Sequence, residues 1–310
     1  MIVVAGEALM DLILHPDGRL VAVPGGGPFN TARTIARLGG AVGFLGRLSS
    51  DRFGGVLRET LIRDGVDLSL AGGTDAPTTL AVAELDERGA ATYHFHTAET
   101  SAPGLTFEDV RSALAGRPAA FHLGTLGLVL EPMASSLAEG IAAVDVESVV
   151  MLDPNCRPAV IRDRAAYLER LGMVIARADV VKVSRDDLDY LAPGIGAASA
   201  ARDLLDRGPS VVLVTDGELG VGVITRRGSV EVAVPAVAVV DTVGAGDSFG
   251  GGFLARWIER GLGRSDLADV GAVQEAVTRA IEVATITCQR AGADPPHRAE
   301  LDWPPAPAAR

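Results

Sequence analysis

Two aspartates bracket a glycine-rich turn in the stretch DTVGAGDSFGGGF, Asp241 to Phe253. A predicted strand, VEVAVPAVAVVD, leads into the turn TVGAG, and a predicted helix, DSFGGGFLARWIERGL, leads out of it. Such a turn presents backbone N–H groups, here around Gly244, Ala245 and Gly246, at a helix amino-terminus. Orphan donors and the positive end of the helix dipole make that an anion site. Asp247 stands where its carboxylate faces the same anion. That is repulsive unless the carboxylate takes a proton from a group attacking the anion, which is the work of a general base on a hydroxyl. An aspartate here can also simply cap the helix; the preceding glycines and the second aspartate favour the base. Gly250, Gly251 and Gly252 follow inside the helix. Each costs about 1 kcal/mol relative to alanine there, so they point to a close backbone approach.

Other residues of chemical interest are scattered. Lys182 is the one lysine among 28 lysines and arginines. A bias toward arginine codons explains the background; a compact ammonium that a guanidinium cannot replace at a phosphate is the sharper reading. His94 and His96 share one face of a predicted strand. H-x-H can bind metal, but no third ligand is evident, so both are read as lining a lid, with Phe95 pointing the other way.

These residues need elements to hold them. MIVVAGE reads as a buried strand, FNTARTIARLGG as a helix, AVGFLGRLSSD as strand then loop, and DRFGGVLRETLIRDG as a helix with Val56, Leu57 and Leu61 at helical spacing. The strands AAFHLGT, SVVMLDPN, DVVKVS and SVVLVTDG follow, separated by the helices EPMASSLAEGIAAV, AYLERLGMVIARA and SAARDLLDRG. Short apolar runs alternating with helices predict a parallel sheet covered on both faces. Ligands bind beyond the carboxyl ends of such strands, which sets Asp153, Asn155, Ser184, Asp187, Thr215 and Gly217 along one rim. Two segments break the pattern. LILHPDGRLVAVPGG and TTLAVAELDERGAATYHFHTA read as β-hairpins around Pro-Asp-Gly and Glu-Arg-Gly turns. They predict a small separate sheet from about 12–24 and 77–98, a lid or dimer interface with a partly apolar outer face.

Bulk properties narrow the class. The chain has 310 residues, 48% hydrophobic, with a net charge of −12, which suits one α/β domain with an appendage and argues against nucleic-acid or anionic-membrane partners. Cys156 and Cys288 form no framework, so a cytoplasmic location is expected. The apolar start has no basic region and reads as a strand, not a leader, and no run reaches the roughly 18 apolar residues of a membrane span. The tail WPPAPAAR is expected to be poorly ordered.

DTVGAGDSFGGGFLA resembles the carboxyl-terminal signature of the ribokinase (PfkB) family of sugar kinases, and GGGPFNTARTIARLGG, residues 25–40, resembles its amino-terminal signature. The two lie in the family's order and spacing, and the resemblance extends over nearly the whole chain. It implies a single kinase domain over 1–310: a ribokinase-like, Rossmann-type three-layer α/β sandwich with a small β-sheet lid. It implies ATP-dependent phosphoryl transfer to a sugar hydroxyl, with Asp247 as base and the turn 244–247 receiving the phosphoryl group. No G-x-x-x-x-G-K-[ST] loop is present.

By resemblance, Asp11 bonds sugar hydroxyls, although a strand-end aspartate can also cap a loop. Gly26, Gly27 and Asn30 form the sugar-binding turn, and Phe95 joins the substrate-binding set. DPNCRP puts Asn155 and Arg157 near the phosphates. KVSRDD matches an N-x-x-E motif as Ser184-x-x-Asp187, with Asp187 toward Mg²⁺ through water. Lys182, Thr215, Gly217, Gly220 and Cys288 fall to the nucleotide, and Asp241 and Thr242 to a monovalent cation, potassium. The later glycines are expected to pack tightly near the nucleotide. GEALMDL, DPNCRP and CQRAGADPP look fructokinase-like, so fructose is the expected sugar. Alternatives are 2-keto-3-deoxygluconate, for which Arg19 and Arg88 are the only lid cations, a nucleoside, or a regulator that has lost catalysis. A dinucleotide oxidoreductase would need a G-x-G-x-x-G after the first strand, which is missing. The expected partners are the sugar, ATP and a second copy through the lid.

Overall fold

Alternation along a four-residue strand organises the molecule. In the computed structural model, which describes residues 1–87 and 91–304, β1 (Ile2–Ala5) is buried throughout. Ile2 and Val4 belong to one apolar core, Val3 and Ala5 to another. A strand buried on both faces needs cover on both faces, and the helices supply it.

In chain order the elements are β1, β2 (Leu9–Leu14), β3 (Leu20–Gly25), α1 (Gly27–Arg37), β4 (Val42–Leu45), β5 (Arg47–Ser49), α2 (Arg52–Asp64), β6 (Gly72–Thr74), β7 (Leu80–Leu85) and β8 (Ala91–His96). Then come α3 (Phe107–Ala115), β9 (Ala120–Gly124), α4 (Met133–Ile141), β10 (Val149–Asp153), α5 (Arg164–Arg177), β11 (Val180–Ser184), α6 (Arg185–Leu191), α7 (Ala197–Asp206) and β12 (Val211–Thr215). The chain ends with β13 (Val221–Thr225), β14 (Gly228–Val232), α8 (Ala245–Glu259) and α9 (Val270–Cys288). Side chains of α1, α2, α8 and α9 fill the first core, with Phe29, Leu57, Trp257 and Val277 among them. Those of α3 to α7 fill the second, with Val110, Leu137, Tyr167, Leu188 and Leu204. Among the described residues no helix is long and apolar enough to cross a membrane.

The main sheet runs β14-β13-β12-β11-β10-β9-β1-β4. From β12 to β4 it is parallel, as the alternating pattern predicts. β13 and β14 correct the expectation of a purely parallel sheet, because both pair antiparallel. The reason is the connection: only residues 216–220 separate β12 from β13, too few for a crossover helix. A second correction concerns the strand expected before Asp241. β14 stops at Val232 and 233–240 form no strand; Pro235, which has no N–H to give a ladder, sits in the middle.

The lid is a separate four-stranded sheet, β3-β2-β7-β8; its first hairpin, 9–25, runs wider than the expected 12–24, and its second, 80–96, falls within 77–98. Its hairpins join through parallel pairing of β2 with β7. One cross-strand row carries Val23, Asp11, Ala81 and Phe95. Leu80 and Val82, in the neighbouring rows, face His96 and His94, so the histidines and Phe95 do lie on opposite faces. The second hairpin's turn, with Arg88, lies outside the described residues.

Candidate active site

The turn before α8 closes through tertiary contact. Gly244 has φ +76°, and a Cβ there would fall 2.5 Å from that of Ala293. The loop carrying Ala293 is held by Gly292 N–H donating to Asp241 Oδ2 at 2.8 Å and by Arg33 Nη1 donating to the Ala293 carbonyl at 3.0 Å. Gly244, in the left-handed region, is the residue before the helix, so α8 starts two residues earlier than its sequence suggests, and no side chain caps it. Ala245 N–H is used inside the turn, donating to the Thr242 carbonyl at 3.2 Å. The N–H groups of the following residues belong to the open first turn of the helix.

Asp247 therefore does not cap. Its Oδ2 accepts from Asn30 Nδ2 of α1 at 2.9 Å, and Thr31 Oγ1 donates to its carbonyl at 3.3 Å. The residue is 9% exposed. Burial pushes its carboxyl up to about 6, against the Asn30 hydrogen bond. A base poised near neutrality is what proton abstraction from a hydroxyl requires.

One cavity of about 540 Å³ gathers most of the sequence-predicted residues: Asp11, Gly26, Gly27, Asn30, Phe95, Asn155, Arg157, Lys182, Thr242, Gly244, Gly246 and Asp247. Strands β2, β8 and β11 deliver Asp11, Phe95 and Lys182, and loops or first helical turns deliver the rest. Asp11 comes from the lid strand β2, and burial, then Asp247, pushes its carboxyl up to about 6. Gly26 has φ +110°, and a Cβ there would lie 2.8 Å from the Glu7 carbonyl. A Cβ on Gly27 would lie 2.6 Å from Thr125 Cγ2 and 3.3 Å from Asp247 Oδ1. Asn155, just past β10, has φ +38°, a conformation asparagine tolerates better than most. Arg157 Nη1 donates to the carbonyls of Asn155 and Cys156, each at 3.2 Å.

Lys182 is buried on β11 and its Nζ donates to Asp153 Oδ2 at 2.9 Å. Burial opposes its charge, and the carboxylates of Asp153 and Asp187 more than offset it, holding the ammonium above its ordinary range. A Cβ on Gly246 would come within 2.8 Å of this ammonium, so the lysine reaches the first turn of α8. An arginine's larger planar head would meet the helix backbone there.

The remaining candidates stand outside this cavity. Ser184 caps α6, and Asp187 Oδ2 accepts from its N–H at 2.8 Å and its hydroxyl at 2.6 Å. Asp187 Oδ1 accepts from Cys156 N–H at 2.6 Å, and the residue is 4% exposed. This pins the 155–157 turn to the β11–α6 corner. Thr215 ends β12, and Gly217 and Gly220 lie just past it on the same rim, with φ +54° and +122°. Cys288 ends α9, and its carbonyl accepts from Val240 N–H at 2.8 Å and Asp241 N–H at 3.2 Å. Asp241 Oδ1 accepts from Val243 N–H at 3.0 Å, so both its oxygens are engaged. Among the described residues no group of three or more His, Cys, Asp or Glu side chains is arranged to hold a metal ion. His94 Nε2 lies 4.0 Å from Glu84 Oε1.

Of the in-helix glycines, Gly251 and Gly252 mark the close helix packing that their sequence predicts. A Cβ on Gly251 would sit 2.7 Å from Thr34 Cβ of α1, and one on Gly252 3.2 Å from Ala280 Cα of α9.

Glu7, Thr125 and Tyr93 also line the cavity, and their local sequence does not announce them. Glu7 follows β1, and its Oε1 accepts from Thr125 Oγ1 at 2.5 Å and from Gly27 N–H at 3.2 Å. Oε2 is buried without a partner. Burial pushes this carboxyl up to about 7. Thr125, past β9, has φ +49°, an uncommon conformation for a β-branched residue, of the kind that clusters at functional sites. Tyr93 stacks on Phe95 with centroids 6.1 Å apart. The available signal for Glu7 and Thr125 was position: each follows the carboxyl end of a central strand.

A buried carboxylate, a buried ammonium and an open helix amino-terminus thus share a cavity with a lid-borne aspartate. Known proteins resemble the chain over most of its length. Fructokinases from Rhizobium leguminosarum bv. trifolii and Salmonella typhimurium are each 34% identical to the chain, over 82% and 84% of it and 79% and 85% of their own lengths. The ATP-bound fructokinase of Xylella fastidiosa superposes with a TM-score of 0.87 at 30% identity, covering 94% of this chain and 93% of its own. The fructokinase of Vibrio cholerae O395 bound to fructose, ADP and calcium gives 0.81 at 28% identity, with 94% of each chain covered. Residues 1–299 match the family described as pfkB family carbohydrate kinase, and the chain belongs to that family.

Proposed function

We propose that this ATP-dependent carbohydrate kinase phosphorylates fructose. The observation that carries the reading is Asp247: a buried carboxylate held by Asn30, in one cavity with Asp11 and with Lys182 at the first turn of α8. ATP supplies the electrophilic γ-phosphorus. Asp247 takes the hydroxyl proton as the sugar oxygen bonds to that phosphorus and the bridging bond to ADP breaks. Lys182 and the N–H groups of the first turn of α8 stabilise the charge spread over the phosphoryl oxygens. Asp11, with the turn at Gly26, Gly27 and Asn30, holds the sugar, and Phe95 and Tyr93 cover it.

Fructose is supported by the fructokinase relatives and by the fructose- and ADP-bound neighbour. The charge of the cavity agrees: Glu7, Asp11 and Asp247 stand against Arg157 and Lys182, a poor match for a sugar acid. Arg19, an exposed lid cation, contacts His15 instead. A riboside is the second reading, because aminoimidazole riboside kinase from Salmonella enterica superposes with a TM-score of 0.80 at 26% identity. Measuring ADP release with a panel of ketoses, aldoses, sugar acids and nucleosides tests both; no turnover above background with any of them would overturn the kinase reading.

For a divalent ion, the residue that fits is Asp153, whose Oδ1 is buried and unpartnered. Mg²⁺ would otherwise rest on phosphate oxygens and water, supplying charge neutralisation. Asp187 then acts through the Cys156 N–H, positioning Asn155 and Arg157. For potassium, Asp241 shapes the 241–243 turn through one backbone N–H on each carboxylate oxygen, and each oxygen keeps a lone pair that a cation could use. Dimerisation through the lid rests on the open edges of β3 and β8 and on exposed Leu20 and Tyr93. A protein that sediments as a monomer at every concentration would remove the dimer and leave the lid.

A further inference from the structure

A second cavity, of about 640 Å³, opens at the other end of the main sheet from the candidate active site. It lies where β10 and β12 begin and β13 ends. Three guanidinium groups border it: Arg226 and Arg227, on the β13–β14 turn, and Arg264, in the short 3₁₀ turn after α8.

The support is built. Arg264 Nε donates to Asp179 Oδ1 at 2.6 Å, and Asp179 is itself buried, accepting from Val150 N–H at 2.8 Å and Arg177 Nη1 at 3.0 Å. Thr225 Oγ1 accepts from Arg227 N–H at 3.2 Å and donates to the Gly228 carbonyl at 3.1 Å, fixing the turn that carries the other two arginines. Among the described residues, neither Arg226 nor Arg227 has an acidic side chain as partner. Ser210 and Ser265 add hydroxyls, and Glu147 is the one acidic residue of the lining.

Planar forks of donors converging on a concave surface recognise phosphate oxygens. This convergence stands out in a chain of net charge −12, whose overall field repels anions. The volume falls in the range of small-molecule sites and exceeds the needs of a bare phosphate ion. We propose that this cavity binds a phosphorylated small molecule, with its phosphate on Arg226, Arg227 and Arg264. It lies at the far end of α8 from Asp247. There Trp257, fully buried, donates its Nε1–H to the Gly263 carbonyl at 3.2 Å, next to Arg264, so occupancy is readable in indole fluorescence.

The test is titration of the intact protein with a hexose monophosphate and, separately, with inorganic phosphate, followed by calorimetry and tryptophan emission. The wild type is compared with Arg226→Ala/Arg227→Ala, whose changes lie on an exposed turn. Loss of two charge-assisted contacts is expected to weaken the hexose phosphate roughly ten- to a hundredfold or more, with Tm, kcat and KM for the kinase reaction unchanged. Equal affinity in the two proteins would overturn the proposal. So would a wild type that binds neither probe up to about 10 mM. Inorganic phosphate binding as tightly as the hexose phosphate would overturn the small-molecule assignment. Because the comparison is between two proteins with the same active site, it stands whether or not fructose is the kinase's sugar.

Discussion

Asp247 carries the sharpest prediction. Asp247→Asn keeps the size of the side chain and still offers Asn30 an acceptor, so the fold and Tm should hold. It cannot take a proton. A general base contributes roughly 10²–10⁴-fold, so kcat should fall by about that factor with little change in either KM; turnover within about threefold of wild type would remove Asp247 from the mechanism. Asp11→Ala should instead weaken the sugar by about 1.5–3 kcal/mol, roughly ten- to a hundredfold, and leave ATP binding alone. Direct titration with each ligand separates the two. The pH dependence follows from the raised carboxyls. Turnover should fall as pH drops through about 6, where Asp247 and Asp11 take protons. Stability should run the opposite way. Glu7, raised from 4.5 to about 7, holds its proton more tightly folded than unfolded. Its contribution is therefore full below about 4.5 and is lost as pH rises through about 7, up to about 3 kcal/mol. Glu7→Gln should flatten the decline of Tm between pH 5 and 8; an unchanged slope would show that Glu7 ionises freely in the fold.

At the scale of elements, the glycines of α8 make a paired test. A Cβ at Gly250 would meet only Met151 Cε at 3.6 Å and His122 Cε1 at 3.9 Å, ordinary contacts. Gly250→Ala should therefore stabilise by up to about 1 kcal/mol through helix propensity. Gly251→Ala drives a methyl into Thr34 and should cost about 1–3 kcal/mol, lowering Tm. Equal shifts in the two variants would mean that α1 yields easily. These contacts also show what was legible. Asp247, Gly244 and Asn30 sit in contiguous motifs with local signals, and the βα alternation laid out six parallel strands. Glu7, Thr125 and Tyr93 come from three separate strand ends or strands, and only the folded sheet brings them together. The direction of β13 turned on the length of one connection, and the helix start on a tertiary contact from Ala293. Neither leaves a periodic trace.

Across the whole molecule, the site lies between two sheets: the lid supplies Asp11 and Phe95, and the main domain supplies Asp247 and Lys182. Sugar binding should therefore protect backbone amides of β2 and β7 from hydrogen exchange more than those of β13 and β14; uniform protection would argue against a lid that closes. The single lysine has a practical consequence. Lys182 is 4% exposed, so an acylating reagent should reach its ammonium only when the cavity floor opens. The rate of acylation at Lys182, read by mass spectrometry, is a built-in clock for opening of this site. Saturating sugar and nucleotide should slow it, with no engineered probe required.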